Sequence, residues 1–270
     1  MITVTDDRGL ELSFAAPPRR VVSLVPSTTE TLFALGAGEA VVGVTRFCVH
    51  PAERLEGLTR VGGTKDLLLD RLLALKPDLV IGNAEENTRE IFAEIAPHVP
   101  LLVAFPRGVD EALHDLHRLG VVMGREAEAR ALLQTIHAER AALRAEAAVS
   151  PGFRYTYLIW REPWMGVNDD TFISALLAEA GGVNALAGVS PRYPTVSPEA
   201  LVDGGVVLLS SEPFPFKERH RDELCALGVA PERIFFVDGE LCSWHGARLA
   251  EALPMLRAMA PVWAARCPAR

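Results

Sequence analysis

VDEALHDLHRLGVVMGREAEARALLQTIHAERAALRAEAA, residues 109–148, runs without a proline and carries Leu and Ala at helical spacing. Ala112, Leu113, Leu116, Leu119 and Val122 recur at three- and four-residue steps. Ala129, Leu132, Leu133, Ile136, Ala142 and Leu143 then resume the pattern, so the stretch predicts amphipathic helix. Gly120 and Gly124 weaken its middle, because glycine costs backbone entropy in a helix interior, and the prediction is one short helix followed by one long one. A helix of about 20 residues spans roughly 30 Å, about the width of a small domain, and can act as a strut between two bodies.

Either side of this stretch the chain reads as alternating strands and helices. Ile2, Val4, Leu10, Leu12 and Phe14 alternate around Asp7-Arg8-Gly9 as a hairpin would. RVVSLV (20–25) is a short apolar run, the pattern of a strand buried on both faces of a parallel sheet. PSTTETLFALG (26–36) follows as a helix, with Ser27 and Glu30 in capping-box spacing and Gly36 available to end it. Ser27, Thr28 and Thr29 thus stand where a strand's carboxyl end meets a helix amino terminus, and Ser27 reads either as a cap or as a ligand contact.

AVVGV (40–44) is a second strand. In TRFCVHP, Cys48 and His50 would project to one side if the backbone were extended, as ligands of a metal or as an ordinary buried thiol beside a histidine. DLLLDRLLAL (66–75) reads as helix and KPDLVIGN (76–83) as turn and strand. That strand ends in Asn83-Ala84-Glu85-Glu86, acids that suit a helix amino terminus or a ligand. The same order returns after Ser150-Pro151-Gly152, and RYTYLIW, LLAEAGGVNALAG, TVSPEALVDGGVVLLSS and RIFFVD repeat the layout of the first half. The expected organisation is an α/β lobe over 1–107, bridging helices over 108–149 and a second lobe over 150–270. The sheets should be mainly parallel, and the strand-end loops should line a cleft between the lobes.

Those loops supply the candidate residues. The first half offers Ser27, Thr28, Phe47, Cys48, His50, Lys65, Asn83, Glu85 and Glu86. The second offers Trp160, Glu162, Trp164, Arg192, Tyr193, Glu212, Phe214, Phe216, Trp244, His245 and Arg248. Three of the four tryptophans fall in these loops, which suits stacking on a large, flat, partly polar ligand or closure of the lobe ends by packing.

A net charge of −8 argues against nucleic acid or an anionic membrane as partner. The four scattered cysteines have no CxxC spacing, and no nucleophile elbow, Walker loop, HExxH or Rossmann glycine pattern is present, so an enzyme is not expected. The opening MITVTDDRGLELSF lacks the basic and apolar regions of a signal peptide, which admits a cytoplasmic location.

From Arg20 onward, RVVSLVPSTTETLFALG, VVGVTRFCVHP, LDRLLALKPDLVIG, the helical bridge, LLAEAGGVNALAG and YPTVSPEALV resemble the substrate-binding proteins of bacterial metal-chelate ABC importers. Their cargoes are cobalamin, iron siderophores and haem. The resemblance implies two similar lobes joined by one long helix and a ligand held between them. It implies a periplasmic or cell-envelope location, a monomer, no resident cofactor, and a transmembrane permease as partner. It also implies that Asp70 and Glu199, equivalent in the internal repeat, dock onto basic residues of that permease. The nearest likeness is to the cobalamin-binding member, but the aromatic positions of its first lobe correspond here to Phe47, Thr64 and Asn83, and Tyr193 stands for a tryptophan of its second. The ligand contacts expected from the loop residues are Ser27, Phe47, Cys48, His50, Glu86, Trp160, Trp164, Arg192, Tyr193, Glu212, Phe214, Trp244, His245 and Arg248. The alternative is a cytoplasmic metal sensor or enzyme using Cys48, His50 and His245 as metal ligands.

Overall fold

A computed structural model of the chain describes residues 1–269. They form two units, the first from Met1–Pro106, Asp110–Gln134 and His245–Arg248, the second from Arg107–Val109, Thr135–Trp244 and the chain from Leu249 onward. Unit 1 opens with an antiparallel hairpin, β1 (Ile2–Thr5) and β2 (Glu11–Phe14), in which Val4 faces Leu12. Asp6 holds the turn, its Oδ1 accepting from the amides of Arg8 and Leu10, and Gly9 supplies the positive φ of +81°.

Next come β3 (Val21–Ser23), α1 (Pro26–Ala34), β4 (Val41–Val44), β5 (Thr59–Arg60), α2 (Leu69–Ala74), β6 (Leu79–Asn83), α3 (Arg89–Ile95) and β7 (Leu101–Ala104). The strands make one parallel sheet in the order β5-β4-β3-β6-β7. β3, β6 and β7 are buried throughout, which is why they read as unbroken apolar runs rather than alternating ones. Their core gathers Val22, Leu24, Val80 and Val103 with Ile91, Phe92 and Ile95 of α3.

The predicted helical pair is α4 (Val109–Val122) and α5 (Glu126–Val149). Ala112, Leu113, Leu116, Leu119 and Val122 are buried, as their spacing requires. The break falls at Gly124, whose φ is +63°, and the Arg125 amide returns to the Gly120 carbonyl at 2.7 Å. Within unit 2 the later part of α5 buries Ile136 and Leu143, while Arg140 and Arg144 both clasp Glu179. Arg257 reaches the same helix at Glu139 and Glu146.

Unit 2 continues with β8 (Phe153–Trp160), β9 (Met165–Gly166), α6 (Phe172–Glu179), β10 (Gly182–Asn184), α7 (Pro198–Asp203), β11 (Val206–Ser210), α8 (Glu218–Ala226), β12 (Ile234–Val237), α9 (Gly239–Ser243) and α10 (Leu249–Ala264). The parallel order is β10-β8-β11-β12, with β9 added antiparallel to β8. Strand for strand this repeats β4-β3-β6-β7, so the duplicated pattern in the sequence corresponds to a duplicated topology. Among the described residues no helix is long and apolar enough to cross a membrane.

One local expectation is corrected. Ser27 does not cap α1, which starts a residue earlier with Pro26 in its first turn, Val25 as an extended cap residue and no side-chain cap. Proline suits that place because the amide it lacks would be unpaired anyway. Glu30, the expected partner in the capping box, turns instead to Arg248.

Candidate functional site

In open parallel sheets, ligands meet the loops beyond the carboxyl ends of the strands. In unit 1 those ends are occupied by the first turn of α1, the turn after β4, the loop after β6 and the segment His245–Arg248. The chain turns sharply after β4, with the Cys48 amide donating to the Thr45 carbonyl at 3.2 Å. Because this is a turn and not extended backbone, Cys48 points inward while Phe47 and Val49 stay 49% and 46% exposed.

The Cys48 thiol is boxed by hydroxyls: Thr29 Oγ1 donates to Sγ at 3.1 Å, and Thr45 Oγ1 lies 3.2 Å away. Burial pushes this thiol up from its ordinary pKa, so it remains a neutral packing group. His50 is half-buried. The Arg46 guanidinium lies 4.9 Å from the centre of the Phe47 ring and makes a bidentate pair with Asp66.

Asn83 ends β6. Its Oδ1 accepts from the Glu85 amide at 2.7 Å, which leaves its Nδ2 as the donor facing His245 Nε2 at 3.1 Å. Nε2 is therefore the acceptor nitrogen, and His245 is neutral with its proton on Nδ1. Burial lowers its pKa, in agreement with that hydrogen-bond pattern. Asn87 completes the group, accepting from the Asn83 amide and donating to the Thr64 carbonyl. Glu86 stands exposed beside it and Lys65 is exposed as well.

Following His245, the Ala247 amide donates to Thr31 Oγ1, and Arg248 forms a two-pronged pair with Glu30 at 2.8–2.9 Å. With Cys48 inside its box and His245 Nε2 committed to Asn83, these side chains do not make a metal site. Among the described residues no three His, Cys, Asp or Glu side chains gather where they could hold an ion. Cys48, His50 and His245, the candidate metal ligands of the alternative reading, are therefore not gathered as one such group.

Unit 2 presents aromatics. Trp160, at the end of β8, is 43% exposed and meets Phe214 edge-on at 5.5 Å. Phe214 contacts Phe216 at 4.9 Å, and Phe216 stacks on Trp164 at 6.0 Å. Only the outer end of this ladder is accessible. Trp164 and Phe216 belong to the unit's core with Leu158, Val196 and Leu209, because the β8–β9 hairpin folds Trp164 inward beneath Arg161.

Trp244 is likewise packed, its Nε1 donating to Glu212 Oε1 at 2.8 Å, where Ser243 Oγ also donates. Burial raises the Glu212 pKa, and the nearby Glu240 and Asp238 push it the same way. Arg192 donates through Nε to the Asp170 carbonyl at 2.7 Å and lies over the Tyr193 ring. Of the expected aromatic contacts in this unit, Trp160 and Phe214 keep access, and Tyr193 is half-buried.

Thr29 and Asn87 lie in the strand-end segments the sequence points to but are not among the candidate contacts it singles out. A threonine in the first turn after a strand and an asparagine four residues beyond a strand's end were the available signals.

A family-level sequence profile described as "Periplasmic binding protein" matches residues 21–206. The vitamin B12-binding protein of Vibrio parahaemolyticus is 26% identical over 187 residues, covering 69% of this chain and 68% of its own. Among solved structures, the periplasmic haem-binding protein RhuT from Roseiflexus sp. RS-1, in its apo form, is 28% identical with a TM-score of 0.78, covering 93% of this chain and all of that one. The periplasmic vitamin B12-binding protein BtuF of Vibrio cholerae has a TM-score of 0.79 over 92% of this chain and 98% of its own; at 22% identity that likeness is one of fold.

Proposed function

This chain belongs to the periplasmic binding protein family, and from that premise we propose that it captures a metal chelate and delivers it to the permease of an ABC importer. The cargo class is a corrinoid, haem or ferric siderophore. The relatives named for vitamin B12 and haem support this class. The observation that carries the reading is the accessible edge of the aromatic ladder, Trp160 with Phe214, at the carboxyl ends of β8 and β11. A large planar macrocycle gains most from such a surface, since aromatic contact adds about 0.5–1.5 kcal/mol beyond the area it buries.

The role is binding and release, without bond-making on the cargo. Residues that fit it are Trp160, Phe214 and Tyr193 in unit 2, and Phe47, Ser27 and Glu86 in unit 1. The permease would meet Asp70 and Glu199. Each is exposed, and each is the second residue of a six-residue helix leading into an equivalent strand, α2 into β6 and α7 into β11. The setting is the cell envelope.

Trp160 is the only exposed tryptophan among the described residues, because Trp164, Trp244 and Trp263 are buried. Titration with cobalamin, haem and ferric siderophores should therefore quench its fluorescence at one of them. Trp160→Phe should lose most of that signal while still binding. Silence of the wild-type protein toward all three classes, checked by calorimetry, would sink the proposal.

A further inference from the structure

The first turn of α1 is buried and under-satisfied. Ser27 and Thr28 are 4% and 1% exposed. The Thr28 hydroxyl is buried with no hydrogen-bond partner among the described residues. The first amide of this helix to find an acceptor is that of Thr29, on the Val25 carbonyl at 2.9 Å; those of Ser27 and Thr28 reach none among the described residues. No side chain caps the end, and no acidic residue stands in the first turn.

Orphan donors in a buried helix end lose their hydration without compensation, so native structures pair them or use them. The place is the carboxyl end of β3, between β4 and β6, where the strand order reverses direction, the position at which open α/β sheets take ligands. In a helix the Cα–Cβ bonds tilt toward the amino terminus, which carries the Thr28 hydroxyl back over the same turn as the two amides. A helix of nine residues also presents a partial positive charge there.

We infer that the amino terminus of α1 is an oxyanion subsite, in which the Ser27 and Thr28 amides and the Thr28 hydroxyl receive a carboxylate or phosphate oxygen of the ligand. The inference rests on the chelate-binding reading above and narrows it to cargoes that carry an anionic oxygen group at their periphery. The neighbouring charges are consistent with it. Glu30, the nearest acid on the helix, is neutralised by Arg248 and so does not oppose an anion.

The test uses the full chain, wild type and Thr28→Val. Haem is compared with haem dimethyl ester, which lacks free carboxylates, and cobalamin with cobinamide, which lacks the phosphate-bearing nucleotide. Acetate and inorganic phosphate are titrated while the Ser27 and Thr28 amide resonances are followed by NMR. The expected results are affinity at least about fivefold higher for the bound chelate than for its neutral counterpart, and a roughly 3- to 10-fold loss of that affinity in Thr28→Val. The melting temperature of the unliganded variant should be equal to or above that of the wild type, because an unpaired buried hydroxyl has been removed.

Whichever small anion shifts the two amides identifies carboxylate or phosphate as the group. Equal affinity for charged and neutral chelates, with unmoved amides, overturns the subsite and leaves chelate capture standing. Binding of acetate or phosphate at those amides without affinity for any chelate overturns the chelate reading and keeps the subsite. A lowered melting temperature in Thr28→Val without change in affinity assigns the hydroxyl a structural role and also overturns it.

Discussion

Burial holds His245 neutral, and Asn83 fixes which ring nitrogen carries the proton. Since the Glu85 amide claims Oδ1, the amide group opposite the ring can only donate, and a protonated imidazole would place two donors face to face. The folded-state pKa of His245 lies below its ordinary 6.5, so as pH falls through 6.5 the unfolded chain takes the proton first. This contribution to stability is therefore complete above pH 6.5 and is lost below it. Urea midpoints at pH 7.5 and pH 5.5 should differ in that direction, and the difference should shrink in His245→Asn. Asn83→Asp keeps the acceptor for Glu85 and turns the other oxygen into a partner for an imidazolium, so the His245 NMR titration should move upward from its wild-type midpoint. Asn83 was legible in the sequence as a polar residue at a strand's end. Its partner lies 162 positions away, and no periodicity or motif joins the two.

At the scale of elements, the helical run and its interruption followed from spacing and glycine alone. The structure adds why Gly120 is glycine, since a Cβ there would fall 2.4 Å from the Ala129 Cβ and 3.2 Å from the Arg125 carbonyl. Neither neighbour can swing away, because both are fixed to backbone. Gly120→Ala gains about 1 kcal/mol of helix propensity but meets an overpacking cost of about 1–3 kcal/mol. Overpacking outweighs propensity at this contact, and the variant should unfold at lower urea concentration with unchanged far-ultraviolet circular dichroism. The element misread was the start of α1, where Ser27 and Glu30 had the right spacing for a capping box but Pro26 had already begun the helix. Capping signatures record local compatibility, and here Glu30 gains more from a two-pronged ion pair with Arg248 than from reaching back to a backbone amide.

For the molecule as a whole, the order β4-β3-β6-β7 and its repetition as β10-β8-β11-β12 place Asp70 and Glu199 at equivalent points. If these acids serve the permease and not the cargo, Asp70→Lys with Glu199→Lys should leave the ligand-induced rise in melting temperature intact. At a hundredfold excess of ligand over Kd that rise corresponds to about 2.7 kcal/mol, roughly 5–10 °C for a chain of this size. Uptake into vesicles carrying the permease should meanwhile fall. A double variant that loses the thermal shift would place the acids in cargo binding. The duplicated α/β pattern, the parallel sheets and the long helix were determined by the sequence alone, because buried strands, glycine breaks and helical spacing are short-range properties of the chain. Tertiary structure alone decided which strand-end residues stay available. Cys48 turned into a box of hydroxyls, Trp164 and Trp244 became packing, His245 was committed to Asn83, and the Thr28 hydroxyl was left without a partner among the described residues. Each of those outcomes depends on what a distant segment brings within hydrogen-bond or van der Waals reach, and that is a property of the folded chain.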